Sequence, residues 1–179
     1  MTPRHVLVVS GAAGTGKTTL ATAWAEEIGA AVVDLDEVAA DVVAEGLRVA
    51  PGRSEVDLNS ELRSERYGAL YAEVAHLRQR SAVVAVAPFT WEIGSREAWA
   101  DFVAAIGGEP VTLVWMHVDT HIRRERIERR GASRDHGRTE SLQTATPPAV
   151  HAVHVDAGSP IAGLLDEFRS RLGNEGSEH

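Results

Sequence analysis

Residues 5–19 read HVLVVSGAAGTGKTT, and they carry the strongest structural signal in the chain. The apolar, β-branched run His5–Ser10 ends at a glycine, which predicts a short buried strand. Gly11–Thr18 then matches the phosphate-loop pattern G-x-x-x-x-G-K-[ST] at every specified position. Residues 17–28 have a helical pattern, with Gly29 as the predicted C-cap. The motif therefore lies between a predicted strand and a predicted helix, which is the setting that a phosphate-binding loop requires.

The residue types of this loop suit a nucleoside triphosphate. Glycines let the backbone bend with its N–H groups pointing toward an anion, and the start of the helix adds its positive dipole end. We expect Lys17 to reach the β- and γ-phosphates and the Thr18 hydroxyl to ligate Mg²⁺. The predicted cofactors are ATP and Mg²⁺, and the predicted nucleotide-binding residues of the loop are Gly11, Ala13, Gly14, Thr15, Gly16, Lys17, Thr18 and Thr19.

The composition excludes several classes of protein. With 179 residues the chain has the length of one domain, and its formal net charge of -8 argues against a nucleic-acid binder that relies on a diffuse positive field. The absence of cysteine excludes disulfides, thiolate catalysis and cysteine zinc sites. The apolar N-terminal run spans only about five residues, too few for a signal peptide or a membrane span. We therefore expect a cytoplasmic protein that binds neither nucleic acid nor membrane.

The single lysine narrows the class of nucleotide-binding protein. Of the 18 basic residues, 17 are arginine, and the one lysine is Lys17 of the phosphate loop. A GTPase needs a second lysine in its base-recognition motif N-K-x-D, so that class is excluded. The chain also has no L-S-G-G-Q segment of a transporter ATPase and is too short for a typical ring-forming ATPase or helicase. Small-molecule and nucleotide kinases remain.

Beyond the loop, short apolar runs alternate with helical patterns. This alternation predicts a parallel sheet covered by helices on both faces. The further predicted strands are Ala31–Leu35, Ala82–Ala87, Val111–Val118 and Val150–Val155. The further predicted helices span about 36–45, 60–80, 95–106, 119–130 and 161–172, with an exposed loop at 46–59 and a loop with turn residues at 131–148.

The chain resembles the gluconate kinase/shikimate kinase-like group of P-loop phosphotransferases, which includes many bacterial predicted kinases. Four features carry the resemblance: the phosphate loop, Asp34-Leu-Asp36 after the second strand, an arginine-rich segment at 123–138, and Val155–Ser159 after the fifth strand. It implies a P-loop three-layer α/β/α sandwich with a five-stranded parallel sheet in the order 2-3-1-4-5. It also implies a single kinase domain over 1–172, with a substrate-binding subregion at about 46–80, a lid at about 126–148 and a tail at 173–179.

Two carboxylates follow the second strand. Asp34 and Asp36 lie at the carboxyl edge of the predicted sheet, where α/β folds bind ligands. The resemblance implies that Asp34 holds the Mg²⁺ shell and that Asp36 binds or deprotonates the acceptor hydroxyl. The alternative is that one of them only caps the next helix. The third strand ends at Pro88 without a Walker-B aspartate. We therefore expect Asp34 or Asp36 to hold the metal ion.

Seven arginines lie between residues 123 and 138 of an otherwise acidic chain. Arg123, Arg126 and Arg130 are spaced so that they share one helix face. The resemblance implies that Arg126 lies near the adenine or the phosphates, and that Arg130 and Arg134 clamp the transferring phosphoryl group. A solvated helix with Arg–Glu pairs and a local RNA-binding patch are the alternatives.

The predicted acceptor pocket combines the 46–80 subregion with the end of the third strand. Arg53 and Arg63 are candidates to hold a polar or anionic acceptor, with Phe89 and Thr90 as an apolar wall and a hydroxyl contact. Arg63 shares a helix face with two tyrosines, Tyr67 and Tyr71, so an ordinary amphipathic helix is an equal alternative. The loop with Ala157 and Gly158 is expected beside the adenine, with an ordinary turn as its alternative. The eight histidines show no metal-ligand spacing.

The sequence thus predicts an ATP- and Mg²⁺-dependent kinase that phosphorylates a hydroxyl of a small molecule, such as a sugar acid or related metabolite. The predicted catalytic residues are Lys17, Asp36, Arg130 and Arg134, and the predicted metal ligands are Thr18 and Asp34. A nucleoside or nucleotide kinase is one alternative. A regulatory nucleotide-binding ATPase without a small-molecule acceptor is another, supported mainly by the missing aspartate after the third strand. The expected state is a monomer or a homodimer.

Overall fold

The computed structural model describes residues 4–130, 146–160, 162–166 and 169–170. Within these ranges strands and helices alternate, beginning with a strand that leads into the phosphate loop. The strands are β1 (Val6–Gly11), β2 (Ala31–Asp34), β3 (Val83–Val86), β4 (Val111–His117) and β5 (Val153–Asp156). The helices are α1 (Lys17–Ile28), α2 (Leu35–Val38), α3 (Ala40–Val49), α4 (Glu55–Glu61), α5 (Arg63–Leu77), α6 (Arg96–Ala105) and α7 (Thr120–Arg130), and residues 162–166 are also helical.

The described strands form one five-stranded sheet in the order β2-β3-β1-β4-β5, with every pair parallel. Val6 at the start of β1 pairs with Val83 of β3 on one side and with Val111 of β4 on the other. β1 is therefore the central strand. The phosphate loop that follows it lies at the middle of the carboxyl edge, between the ends of β3 and β4. The predicted fold class and strand order are confirmed.

Both faces of the sheet are covered, because successive β1 side chains point to opposite sides. Val6 and Val8 belong to a core with residues of α5 and α6, whereas Leu7 and Val9 belong to a second core with residues of α1 and with Leu164. All six residues of β1 are buried. This arrangement is the expected three-layer α/β/α sandwich. Within the described ranges, every helix is too short or too polar to cross a membrane.

The predicted exposed loop at 46–59 is wrong except at 50–54, where the chain turns at Pro51 and Gly52 between two helices. Helix α3 continues to Val49, and α4 begins at Glu55 after Ser54, whose hydroxyl accepts a hydrogen bond from the Asp57 N–H at 3.2 Å. Gly46 lies inside α3, where an added Cβ would meet the Leu62 side chain at 2.8 Å. The glycine thus marks a close helix contact, and not the turn that it indicates in sequence. The predicted helix at 36–45 is likewise divided, between α2 and α3 at Ala39.

One arginine is fully buried at the opposite end of the sheet from the phosphate loop. Arg78 caps the end of α5, and its guanidinium donates to the carbonyl oxygens of Arg4, Ile106 and Gly108 at 2.5–3.2 Å. Burial lowers its pKa, and the nearby Glu109 opposes that shift. Arg78 therefore ties the start of β1, the end of α5 and the end of α6 together.

Candidate functional site

The phosphate loop is held in shape by two close backbone arrangements. Gly11 has a φ of 147°, and an added Cβ would lie 2.4 Å from the Met116 carbonyl oxygen of β4. Gly16 has a φ of 88° in the left-handed region and forms the N-cap of α1. L-residues with side chains rarely adopt either conformation. Lys17 folds back over the loop, and its Nζ donates to the Ala12 carbonyl oxygen at 2.9 Å.

A cavity of about 230 Å³ opens beside the loop at the carboxyl edge of the sheet. It collects side chains and backbone from the phosphate loop, the β2–α2 connection, helices α4 and α5, and the chain after β3. Its described lining is Ala13, Gly14, Gly16, Lys17, Thr18, Asp34, Leu35, Asp36, Asn59, Arg63, Arg66, Tyr67, Val86, Ala87, Pro88 and Thr90. The structure thus brings seven of the predicted loop and carboxylate residues, together with Arg63 and Thr90, around one space.

Asp34 connects the loop with the second strand. Its Oδ2 accepts a hydrogen bond from the Thr18 hydroxyl at 2.8 Å, and its Oδ1 accepts one from the Asp36 N–H at 2.9 Å. The carboxylate is therefore a helix cap for α2 and also a partner of the loop threonine, while its predicted metal-holding role stays a prediction. Thr18 and Asp34 present hard oxygen atoms to the same point, a donor set that suits Mg²⁺ with water and phosphate as its other ligands.

Asp36 faces the cavity from the first turn of α2. Its side chain is about half exposed, at 49%, and lies 3.4 Å from the guanidinium of Arg66 on α5. Arg66 is itself buried and also donates to the Asn59 carbonyl oxygen at 3.1 Å. The carboxylate is thus open to a small molecule on one side and supported by a fixed cation on the other.

A buried cluster around Glu92 forms the far wall of the cavity. The Glu92 side chain is 2% exposed, and both of its oxygens accept hydrogen bonds from Arg63 Nη2, at 2.9 and 2.8 Å. The Tyr71 hydroxyl donates to the same carboxylate at 2.5 Å. The Arg63 guanidinium also lies 4.1 Å from the centre of the Tyr67 ring. Sequence reasoning missed Glu92, because a lone glutamate after a strand carries no local signal of burial.

The cluster changes the acidity of its members. Burial raises the pKa of Tyr67 to about 12, and the negative charge of Glu92 adds to that effect. The pKa of Tyr71 is raised by burial and by its hydrogen bond to Glu92. Burial alone would lower the pKa of Arg63, but the hydrogen bonds and charge of Glu92 outweigh it and raise that pKa. Both tyrosines are therefore neutral and Arg63 is charged near neutral pH.

Helix α7 contacts the outside of the phosphate loop through two arginines. Arg123 is buried, and its Nε donates to the Ala13 carbonyl oxygen at 3.2 Å. Arg126 donates to the carbonyl oxygens of Thr15 at 3.4 Å and Ala157 at 2.8 Å. The predicted shared face of Arg123 and Arg126 is therefore turned toward the loop.

A second cavity, of about 360 Å³, lies on the α7 side of the loop. It is bounded by the loop, the first turn of α1, Arg126 and the chain after β5. Its described lining is Gly14, Thr15, Gly16, Thr19, Arg126, Ala157, Ser159, Pro160 and Leu164. Gly14 and Gly16 line both cavities, so the phosphate loop separates a polar space near Asp36 from a second space near Ala157.

Some predicted site residues lie elsewhere. Arg53 pairs with Glu61 of α4 and does not line the cavity. Phe89 is fully buried against the rings of Tyr67 and Phe102, and its N–H donates to the Tyr67 hydroxyl. Gly158 follows Ala157 but does not line the second cavity.

Much of the predicted lid at 126–148 lies outside the described residues. Arg134 is among the residues that the structure does not describe, and Arg130 is described only as the last residue of α7. Their predicted contacts with phosphate stay predictions. Among the described residues, no group of three or more His, Asp and Glu side chains is arranged to hold a metal ion.

Comparison with known proteins places this geometry in a family. A family model described as an AAA domain matches residues 6–146, which is most of the chain. No functionally curated protein sequence gives a significant match.

Solved structures with the same fold include several small-molecule kinases. A gluconokinase from Sinorhizobium meliloti has a TM-score of 0.62 at 18% identity, with all of both chains covered. A Mycobacterium tuberculosis APS kinase, solved with AMPPNP and APS, has a TM-score of 0.63 at 18% identity, covering 97% of this chain and 99% of that one. A shikimate kinase from Aquifex aeolicus has a TM-score of 0.60 at 14% identity, covering 97% and 99%. The resemblance to P-loop small-molecule kinases is thus confirmed at the level of fold.

Proposed function

The chain belongs to the AAA domain family, and on that premise we propose that it transfers the γ-phosphoryl group of ATP to a hydroxyl of a small molecule. The observation that carries the proposal is the pair of cavities divided by the phosphate loop. A triphosphate held by the loop has one space at its adenine end, beside Ala157, and another at its γ-phosphate end, beside Asp36. A kinase needs both spaces, whereas a protein that only hydrolyses ATP needs no polar pocket beyond the γ-phosphate.

Each group beside the loop has a distinct task in this reaction. Lys17 neutralises charge on the β- and γ-phosphates, after its ammonium leaves the Ala12 carbonyl oxygen. Thr18 and Asp34 would hold Mg²⁺, which supplies further neutralisation of the phosphate oxygens. Asp36 accepts the hydrogen bond of the acceptor hydroxyl and aligns its oxygen with the phosphorus atom.

The arginines near the loop complete the proposal. Arg126 contacts both the loop and Ala157, which supports its assignment to the adenine end of the nucleotide. We assign Arg130 and Arg134 to the transferring phosphoryl group, as arginines that neutralise charge when the segment 126–148 covers the nucleotide. The acceptor range includes sugar acids and related metabolites, and the chain would act as a monomer or a homodimer.

The proposal is tested by a screen for acceptor-stimulated ADP release. Purified protein with Mg²⁺ and ATP is incubated with panels of sugars, polyols, sugar acids, nucleosides and aminoglycosides, and ADP is measured by a coupled assay. We expect one chemical class to raise the rate well above the basal rate and to yield a phosphorylated product by mass spectrometry. Intact ATP binding without stimulation by any compound would instead favour a regulatory ATPase. Stimulation by nucleosides alone would assign a nucleoside kinase.

A further inference from the structure

The Arg63–Glu92 pair contributes to the charge of the cavity that contains Asp36, which we call the acceptor cavity. Arg63 lines the cavity with its side chain 37% exposed, whereas the carboxylate that it binds is 2% exposed. Both carboxylate oxygens of Glu92 are bound by Arg63 Nη2, and Tyr71 binds one of them as well. The exposed cation is therefore anchored from behind by a buried anion.

This anchoring offsets the charge of Arg63 and holds its guanidinium in place, which weakens its attraction for an anion in the cavity. If Arg63 moved to bind a carboxylate on the acceptor, Glu92 would remain charged and buried without its cation. Removing one partner of a buried ion pair is strongly unfavourable, because the remaining charge has lost its solvent and its counter-charge. The position of Arg63 over the Tyr67 ring also fixes the guanidinium plane as part of the wall.

The second arginine of the cavity is also balanced by an acid. Arg66 lies 3.4 Å from Asp36, so its charge is directed at the carboxylate that faces the acceptor hydroxyl. The buried Arg66 Nε has no hydrogen-bond partner among the described residues. Arg66 also lines the cavity, where the carboxylate of Asp36 offsets its charge. The positive charges of Arg63 and Arg66 are thus each offset by a carboxylate, that of Glu92 for Arg63 and that of Asp36 for Arg66.

We infer that the acceptor is an uncharged polyhydroxylated molecule. Glu92 determines this specificity, because its carboxylate offsets the charge of Arg63 and holds that side chain in the cavity wall. The inference rests on the proposed function, and among the small hydroxyl compounds considered there it favours polyols and related uncharged compounds over sugar acids. Replacing Glu92 by an uncharged residue frees Arg63 to bind an acidic acceptor. Glu92 is a positioning residue, since it acts through Arg63 and does not line the cavity itself.

The experiment compares two compounds that share one carbon skeleton and differ in charge. Glucitol and gluconate are titrated by calorimetry into wild-type protein whose nucleotide site is saturated with Mg²⁺ and a non-hydrolysable ATP analogue. The same titrations are made with Glu92→Gln, with the double variant Arg63→Gln/Glu92→Gln, and with Tyr71→Phe as the matched control. Tyr71→Phe removes a hydrogen bond to Glu92 but keeps the ion pair. Because the readout is binding, it is independent of phosphoryl transfer.

The wild-type protein is expected to bind gluconate no more tightly than glucitol. Glu92→Gln is expected to shift the preference toward gluconate by about tenfold, the effect of one added charge-assisted hydrogen bond. The double variant and Tyr71→Phe keep the wild-type ratio. If wild-type protein binds neither compound, gain of gluconate binding in Glu92→Gln supports the inference and its absence overturns it.

Two further results would overturn the inference. One is a wild-type preference for gluconate of more than about threefold, and the other is a change of less than about threefold in Glu92→Gln. If Glu92→Gln does not fold, the charge-neutral double variant decides: an unchanged ratio supports the inference, and a loss of gluconate binding by more than about threefold overturns it. Failure of the ADP-release screen, in contrast, overturns the proposed function and leaves these ratios measurable.

Discussion

Asp34 and Asp36 lie two positions apart and have different surroundings. Asp34 is buried and uses both oxygens on protein partners, one on the Thr18 hydroxyl and one on the Asp36 N–H. Asp36 has a half-exposed carboxylate that faces the cavity. The difference arises at the end of the strand, because Asp34 is the last residue of β2 and caps α2, whereas Asp36 already lies in the first turn of that helix.

Asp36→Asn tests the task of the exposed carboxylate. We expect acceptor-stimulated turnover to fall by about 100-fold or more, because the amide cannot take the hydroxyl proton, while ATP binding is retained. Turnover is measured as ADP release, and ATP binding by calorimetry. Asp41→Asn, an exposed aspartate on α3, is the control and should behave as wild type. Unchanged turnover in Asp36→Asn would rule out its assigned role.

Lys17 can be tested without knowledge of the acceptor, because it is the only lysine in the chain. An acyl-phosphate derivative of ATP transfers its acyl group to an amine beside the phosphates, so we expect mass spectrometry to find the label on the peptide that contains Lys17. Excess Mg²⁺ and ATP should prevent labelling. Lys17→Ala should lose both this label and ATP-dependent turnover. Full activity in Lys17→Ala would overturn the mechanism as a whole.

At the scale of elements, hydrogen bonds and close packing connect α7 with the phosphate loop. Arg123 and Arg126 are one helical turn apart, and both donate to carbonyl oxygens of the loop. Gly14 of the loop lies against α7, where an added Cβ would be 3.1 Å from the Arg123 carbonyl oxygen and from the Ile127 side chain. The helix therefore fixes the outer side of the loop through the loop's carbonyl oxygens.

Arg123→Met tests this connection between helix and loop. We expect the dissociation constant for ATP to rise about tenfold, the effect of one hydrogen bond to a charged group, because the Ala13 carbonyl loses its anchor. Calorimetry measures the binding, and circular dichroism measures the unfolding midpoint without nucleotide. The matched control is Arg124→Met, an exposed position on the same helix. Equal affinities in the two variants would show that Arg123 does not position the loop.

At the scale of the whole molecule, the site depends on a sheet whose opposite end is joined by Arg78. This buried guanidinium joins the chain before β1, the end of α5 and the end of α6 through their carbonyl oxygens. No acidic partner neutralises it by a hydrogen bond within the described residues, so carbonyl dipoles replace its hydration. A side chain with five donors in a planar fork can do this, and an ammonium group cannot reach the same set.

Arg78→Met is expected to lower the free energy of unfolding by about 2–4 kcal/mol, because several buried carbonyl oxygens lose their donor. Urea denaturation followed by circular dichroism measures the change. Arg78→Lys should lower the free energy of unfolding to a similar extent, since an ammonium group keeps the charge but cannot donate to the same set of carbonyl oxygens. Arg80→Met, an exposed position two residues away, is the control. A loss no larger than that of the control would contradict the structural role of Arg78.

Local signals predicted much of the fold. The bounds of α1 were predicted as observed, because glycine at each end and the phosphate-loop pattern define them locally. The segment 46–59 was predicted wrongly, because Gly46 has the same local signature in a turn as in a close helix contact. The phosphate loop and Asp34-Leu-Asp36 were also visible in the sequence. The buried cluster around Glu92 was not, since its partners Tyr71 and Arg63 lie 21 and 29 residues away.

The sequence by itself determined that this chain holds a nucleoside-triphosphate loop at the edge of a parallel sheet, because strand, loop and helix are encoded by neighbouring residues. Its 17 arginines carry no such information individually. Only the tertiary structure assigned Arg78 to buried carbonyls, Arg63 to Glu92, and Arg123 to the back of the phosphate loop. The physical reason is that the energy of a charged side chain depends on its burial and its partners, and distant parts of the chain supply both.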